Sequence, residues 1–194
     1  MSKSSEDNTL IKRFLGGDVA AFDEIVVKYK GLVFNVCLKM LGNYEEALDL
    51  SQDIFLKIYG SLKDFRYEAQ FSTYLYKIVL NFCRNRLKVL QRRRRKEAFS
   101  IDNDLATEDG TLKREFASDN PNPRDVLDGK EKEALILNAI NSLNHDYKEA
   151  VILRDVEGLK YEEIAGILNI DLGTVKSRLS RARHILKEKL EGIL

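Results

Sequence analysis

Tyr161-Glu-Glu-Ile-Ala-Gly-Ile-Leu-Asn-Ile-Asp-Leu-Gly-Thr-Val-Lys-Ser-Arg-Leu-Ser-Arg-Ala-Arg-His184 reads as two short helices joined by a tight turn, the second rich in cations. In the first helix Ile164, Ala165 and Leu168 fall on one stripe, and small Ala165 lets another helix approach closely. Asn169 suits a left-handed C-terminal cap, and Asp171 stands where an N-cap belongs, its carboxylate able to accept from the next turn's amides. Val175, Leu179, Ala182 and Leu186 form an apolar seam at helical spacing on the second helix. Lys176, Ser177, Ser180, Arg181 and His184 occupy its other side and offer donors to phosphates and base edges. A solvated amphipathic helix is the plain alternative. The turn, both caps and the donor face together favour a helix-turn-helix, whose second helix enters the DNA major groove.

The charge pattern extends this reading. The 194 residues carry a net charge of only +1, but the charges are segregated. Residues 84–96 hold eight cations and no anion, residues 97–128 nine anions against three cations, and residues 172–194 six cations against two anions. Two basic surfaces for a polyanion, separated by an acidic connector, are expected. No apolar run is long enough to span a membrane, and the polar N-terminus lacks a signal-peptide core. Cys37 and Cys83 sit inside apolar helical patterns without metal-site spacing, so buried, reduced thiols in a cytoplasmic protein are expected. His145 and His184 lack ligand-spaced companions, so no metal or other cofactor is expected. Gly16-Gly17 lacks the P-loop context and reads as a turn. With no nucleophile, base and orienter in view, the chain is not read as an enzyme.

Helical periodicity dominates the rest. Asp18 is expected to cap a long helix through Phe22, Ile25, Val26, Tyr29, Leu32, Val33 and Val36. Asn43 with Glu46 makes a capping-box pattern for the next helix, which Gly60 should end. Residues 60–71 read as a loop, and Ser72 should cap a helix running into the basic stretch. Residues 97–124 are acidic, weakly periodic, and hold Pro121 and Pro123, the composition of a flexible linker. A second helical unit should begin near Asp125, with Leu135, Ile136, Ala139 and Ile140 on one helix, Ala150, Val151 and Leu153 on the next, and Gly158 as its stop. The fold class is therefore all-α: two small helical domains, 8–96 and 125–194, joined by a flexible acidic linker at 97–124, the C-terminal one a helix-turn-helix.

Two further stretches allow more than one reading. In the helix from Tyr44 to Tyr59, Leu48, Phe55 and Tyr59 with Leu50, Ile54 and Ile58 read as mostly core. Glu45, Asp49, Gln52 and Asp53 form an acidic stripe, which periodicity favours as a solvated face, with a cationic protein partner as the alternative. Between Phe65 and Lys88, aromatics (Phe65, Tyr67, Phe71, Tyr74, Tyr76, Phe82) mix with cations (Arg66, Lys77, Arg84, Arg86, Lys88). Core packing and base stacking explain that mixture equally well, but the loop directly before the basic helix favours single-stranded nucleic acid. The run Gln91 to Lys96 continues that helix and reads as a phosphate contact.

With these residues in view, the chain resembles bacterial RNA polymerase sigma factors of the extracytoplasmic-function group. Asp49-Leu-Ser-Gln-Asp-Ile-Phe55 resembles the family's core-polymerase-binding helix. Phe71-Ser-Thr-Tyr-Leu-Tyr-Lys-Ile78, with Asn81, Arg84 and Asn85, resembles its minus-10-binding segment. Gly158 to Ala165 and Gly173 to Arg183 resemble its minus-35-binding domain. The likeness covers nearly the whole chain in the family's order. Where the family commonly has Trp, Asp, a capping Ser and Pro, this chain has Tyr74, Asn85, Lys160 and Asp171. The missing cap at Lys160 should weaken that helix start by about 1 kcal/mol.

The resemblance implies a factor that directs core RNA polymerase to promoters and promotes their melting. Asp49, Gln52, Asp53 and Phe55 would dock on the polymerase clamp, with the flap as a further contact. Lys63, Phe65, Arg66, Phe71, Ser72, Thr73, Tyr74, Tyr76, Lys77, Asn81, Arg84, Asn85, Arg86 and Lys88 would hold the non-template minus-10 strand around an extruded base. Thr174, Lys176, Ser177, Ser180 and Arg181 would read the minus-35 element, with Arg178 and Arg183 on phosphates. The acidic linker would run toward the polymerase active centre. An anti-sigma protein would cover the polymerase-binding surfaces, and the free chain would be a monomer outside the membrane. The competing reading is a helix-turn-helix regulator that works without polymerase; such proteins usually pair half-sites as dimers, and the chain shows no dimerisation heptads. A nucleic-acid enzyme lacks the carboxylate or metal-site spacing it would need.

Overall fold

A computed structural model describes residues 3–101 and 135–191 of the chain, and no strand occurs among them. The expected acidic linker falls outside those residues, except that its first residues belong to a helix, as described below.

The N-terminal unit contains α1 (Lys3–Leu15), α2 (Ala20–Leu41), α3 (Tyr44–Ser61) and α4 (Phe71–Ile101). α2 and α3 form an antiparallel hairpin across a two-residue turn. Gly42 supplies the left-handed φ of 70° that ends α2, and its amide donates to the Leu38 carbonyl. A side chain there would be strained and would press on Asn141. Asn43 then caps α3, its side-chain oxygen accepting from the Glu46 amide at 2.9 Å. The expected capping box is only half made, because the Glu46 carboxylate accepts from Arg86 instead.

Four starts and stops differ from the expected ones. The N-cap position of α2 is Val19, while the Asp18 carboxylate accepts from Arg13 at 2.9 and 2.7 Å. That guanidinium holds Asp18 below the usual carboxylate range, with the amides of Ala21 and Ala20 adding to the effect. Gly60 lies inside α3, which runs on to Ser61 and into a 3₁₀ turn at Leu62–Asp64. α4 begins at Phe71, so Ser72 is already helical rather than a cap. The same helix continues through the basic run to Ile101, taking in the first five residues expected to be linker.

The C-terminal unit starts, among described residues, with a helix over 135–141 (α5). Asn144 caps α6 (His145–Val151) by accepting from the Tyr147 amide, and α6 continues as a π turn over Ile152–Val156. Gly158, at φ 71°, closes that turn. The helix-turn-helix follows as α7 (Tyr161–Leu168) and α8 (Leu172–Leu190).

One continuous apolar core joins the two units. Val33, Cys37, Leu75, Val79 and Cys83 pack in the same cluster as Ala150, Ile152, Leu153, Ile164 and Ile167. α4 lies along α7, and the C-terminal end of α2 meets the π turn. Cys37 and Cys83 are both fully buried with sulfurs 3.9 Å apart, as free thiols. The hydrogen bond to Cys37, with burial, pushes the Cys83 thiol up.

Candidate nucleic-acid interface

The turn before α8 is built as its residues demand. Asn169 takes the left-handed conformation at φ 55° and closes α7. Asp171 accepts from the Thr174 amide at 2.8 Å and from the Thr174 hydroxyl at 2.5 Å. Those two donors hold its carboxyl below the usual range. Lys160 makes no side-chain cap, but the Glu163 carboxylate reaches back to accept from the Lys160 amide at 2.8 Å. One N-terminal donor of α7, the Lys160 amide, is thus met from the opposite side of the box.

On α8 the apolar seam is buried at Val175, Leu179 and Ala182, with Leu186 half-buried. The seam fixes the opposite side, so Lys176, Ser177, Ser180 and Arg181 are exposed. The hydroxyl of Ser177 donates to the Thr174 carbonyl at 3.0 Å, and Thr174 itself is committed to Asp171. Two expected phosphate contacts lie elsewhere. Arg178 donates to Asp146 at 3.1 Å and Arg183 to Asp155 at 2.5 Å, both fastening α8 to its own unit.

The loop after α3 forms the second surface. Phe65 is buried, its ring meeting Tyr67 and Phe71 edge-to-face and Tyr74 at a tilt, at centroid distances of 4.9, 5.8 and 5.3 Å. Tyr67 adopts φ 59°, uncommon for a residue with a side chain. Beside this aromatic cluster opens a cavity of about 200 Å³ lined by Asp64, Phe65, Arg66, Glu68, Ala69, Thr73, Tyr74 and Lys77. Lys63, Arg66, Lys77, Asn81, Asn85 and Lys88 are exposed, and Ser72 is half-buried. Other expected members of this site are engaged within the protein. Phe71 is a core residue at 1% exposure, so its ring faces no solvent. Tyr74 donates its hydroxyl to Ser61. Buried Tyr76 donates to Glu157 of the C-terminal unit, and burial followed by that carboxylate pushes its phenol far up. Arg84 donates to Glu149, and Arg86 to Glu46 and Asp53.

A third surface lies between α2 and α3. Leu50, Ile54 and Ile58 are core, as expected, but Leu48 and Tyr59 are exposed and Phe55 is half-buried. α3 carries more apolar surface than its neighbours cover. Leu48 and Phe55 line a groove of about 410 Å³ with Val26, Lys30, Gly31, Phe34, Tyr44, Ser51 and Gln52, while the Tyr59 ring packs edge-on against Phe14 and Phe22 at 5.1 and 5.0 Å. Asp49 and Asp53 are exposed on the same helix, and Gln52 and Phe55 open into the groove.

Residues 25–94 match the family described as Sigma-70 region 2, and residues 133–186 match Sigma-70, region 4. The RNA polymerase sigma-H factor of Pseudomonas aeruginosa is 33% identical over 100% of this chain and 98% of its own length. The ECF RNA polymerase sigma factor SigW of Bacillus subtilis is 33% identical over 94% of this chain and 96% of its own. The chain belongs to the extracytoplasmic-function (ECF) group of RNA polymerase sigma factors. Among solved structures, the sigma factor RpoE in complex with the anti-sigma factor NepR from Bartonella quintana is similar at 26% identity. Its TM-score is 0.61, over 89% of this chain and 98% of that one.

As a member of that group, this ECF sigma factor directs RNA polymerase to promoters in transcription initiation. No helix among its described residues is long and apolar enough to cross a membrane. Sequence reasoning passed over Asp64, Glu68 and Ala69 in the loop cavity, and Val26, Lys30 and Phe34 in the groove. The signal available for the first three was their place in an aperiodic loop beside clustered aromatics. For the second three it was Val26 and Phe34, two turns apart on α2 alongside the buried row with Lys30 between them, facing Leu48 and Phe55 of α3.

Proposed function

We propose that this ECF sigma factor distributes promoter recognition over three surfaces. The α2–α3 groove, with Gln52 and Phe55 inside it, docks on the clamp of core RNA polymerase together with exposed Asp49 and Asp53 of the same helix. The loop cavity, bordered by Arg66, Thr73, Tyr74 and Lys77, receives an extruded base of the melted minus-10 strand, while Lys63, Lys88 and Asn85 follow the backbone. The outward face of α8 reads minus-35 duplex through Lys176, Ser177, Ser180 and Arg181. The observation that carries this reading is the loop cavity itself. An aromatic wall, half-buried Tyr74 and two exposed cations meet at a concavity of base-like size, and duplex readout by α8 has no use for it.

An anti-sigma protein covering the α2–α3 groove fits the same reading, since an exposed apolar surface of this kind is a protein-binding surface. The similar sigma factor RpoE is itself found in complex with an anti-sigma factor, NepR.

Reconstituted holoenzyme tests the assignment on a mapped promoter. Lys77→Ala should slow open-complex formation without weakening the affinity for core enzyme. Gln52→Ala combined with Phe55→Ala should do the reverse and lose the core enzyme. Native core affinity in the double variant removes the groove from the mechanism, and a native melting rate for Lys77→Ala removes the cavity.

A further inference from the structure

The core of the N-terminal unit holds two nucleophilic side chains that promoter recognition leaves without a task. Cys37 of α2 and Cys83 of α4 are both 0% exposed, and the Cys83 thiol donates to the Cys37 sulfur at 3.9 Å. α2 packs directly on α4, and Val33, Val36, Val79 and Leu80 belong to the same buried cluster. The two sulfurs are in contact, and a disulfide needs them at about 2.05 Å. Side-chain rotation on facing helices can close a gap of that size. Paired cysteines can also fill a core as small apolar residues and do nothing more. The surroundings of this pair set it apart.

The two thiols are unlike. The hydrogen bond from Cys83 holds the Cys37 thiol below its ordinary range against the opposing effect of burial, and the Ser51 side chain adds to the lowering. Cys83, the donor, is pushed the other way. The nucleophilic thiolate therefore belongs to Cys37, and Cys83 keeps its proton. Access is unlike as well. On the Cys83 side the C-terminal unit closes the core: Glu149 accepts from neighbouring Arg84, and the Lys148 ammonium donates to the Met40 carbonyl at 2.7 Å. On the Cys37 side stands Ser51, whose hydroxyl donates to the Ala47 carbonyl at 2.6 Å and which also lines the α2–α3 groove. Ser51 thus meets both the thiol and an open concavity.

We propose that Cys37 and Cys83 form a redox-active dithiol, oxidised to an intramolecular disulfide by a hydroperoxide that reaches Cys37 past Ser51 from the α2–α3 groove. The Cys37 thiolate attacks one peroxide oxygen. The O–O bond breaks, and the other oxygen leaves as water or an alcohol with the Cys37 proton. Cys37 is then a sulfenic acid. The Cys83 sulfur attacks it, the S–O bond breaks, and the released hydroxide takes the Cys83 proton to become water. The two thiols have given up two electrons and two protons, and the peroxide has taken them up. The disulfide spans 46 positions and encloses α3 and the loop that follows it. Oxidation therefore staples the unit that carries the groove and the loop cavity, and constrains its unfolded state. None of this chemistry depends on what the groove or the cavity binds.

Hydrogen peroxide added to the folded, full-length chain tests it, read by intact mass and thiol counting. The chain should lose two hydrogen atoms and both thiols, recover them with dithiothreitol, and unfold at higher urea while oxidised. Cys83→Ser should stop at the sulfenic acid and take a dimedone label on Cys37, and Cys37→Ser should stay unlabelled. Cys83→Ala serves if Cys83→Ser fails to fold. Ser51→Val puts methyls where the hydroxyl stood, which narrows the route and removes the polar neighbour of Cys37, so it should slow the oxidation several-fold. Circular dichroism checks that each variant keeps its helix content. If the folded chain keeps both thiols under peroxide that oxidises the urea-unfolded chain, or yields only a covalent dimer, the dithiol is overturned. Dimedone on Cys83 in Cys37→Ser overturns the assignment of Cys37 as the attacking thiol. A native rate in Ser51→Val overturns the route from the groove.

Discussion

α4 and α8 are both long, basic helices, and composition alone would give them the same task. Their cations are used differently. On α8, Lys176 and Arg181 stand on the solvent side of the seam, while Arg178 and Arg183 tie the helix to Asp146 and Asp155 of its own unit. On α4, Arg86 ties the helix to Glu46 and Asp53 of α3, and Arg84 joins Glu149 of the other unit. The acid that each cation faces, and whether that acid can be rehydrated, decides what the cation does. Exposed pairs between flexible side chains contribute little, and a pair with a fully buried member cannot be broken cheaply.

Arg84→Ala attacks the strongest term in that contrast. It leaves Glu149 buried and alone, a cost of about 3–5 kcal/mol. The chain can escape it only by undocking the units, which rehydrates the carboxylate. Urea unfolding of the full-length protein should therefore change from one cooperative transition to two. A single transition shifted by less than about 1 kcal/mol would mean that Arg84 is no more structural than the cations of α8, and the comparison would fail.

Arg181→Ala probes the opposite helix, where stability should hardly change and affinity should. If the proposed reading holds, loss of this exposed guanidinium on the outward side of α8 should cost roughly 1–3 kcal/mol of minus-35 duplex binding, read by anisotropy at fixed salt. A melting temperature that drops with the affinity would place Arg181 among the helix-fastening residues instead.

Lys148 sharpens the comparison through pH. Burial pushes its ammonium down to about 8 from an ordinary value near 10.5. The folded state therefore gives up the proton earlier than the unfolded chain does. From about pH 8 upward the unfolded state binds more protons, so stability should rise with pH across that window, by about 1 kcal/mol between pH 8 and 9. Below that range both states keep the proton and the term is flat. The two unfolded cysteines, with an ordinary value of about 8.5, ionise across the same window and oppose this rise, so the Lys148 term is read as the difference from Lys148→Met, in which it should be absent. Parallel curves for the two proteins would show that the ammonium is better solvated than its burial implies.

What the sequence disclosed followed the range of the interaction. The caps at Asn43, Asn169 and Asp171 were legible because each is closed by a partner within a few residues. Ser72 and Gly60 misled because propensity for caps and stops is weak, and packing carried α3 and α4 through those positions. The surplus apolar pair Leu48 and Phe55 looked like core because periodicity shows which residues share a face and not how much of it a neighbour covers. Arg84–Glu149 spans 65 positions and Lys148–Met40 spans 108, and no local pattern encodes such pairs. The donor faces of the candidate site were therefore visible in the sequence, while the cations withdrawn from them were not.

Arg183→Gln carries the smallest expected effect and bears most directly on the contrast. Arg183 and Asp155 are both substantially exposed, so the pair should contribute less than about 1 kcal/mol to stability. Its bearing on DNA is more informative. A free cation that meets a phosphate releases a condensed counterion and steepens the salt dependence by about one unit of slope. Arg183 starts from a carboxylate, so a phosphate contact would require exchanging one anion for another, and the carboxylate left behind would take up a cation from solution. The net release is then close to zero. Minus-35 duplex affinity measured across a salt series should keep its slope in Arg183→Gln and lose about one unit in Arg181→Ala. An equal loss in both would mean that Arg183 leaves Asp155 when DNA arrives, and that the ion pairs of α8 hold its cations ready for phosphate rather than keeping them from it.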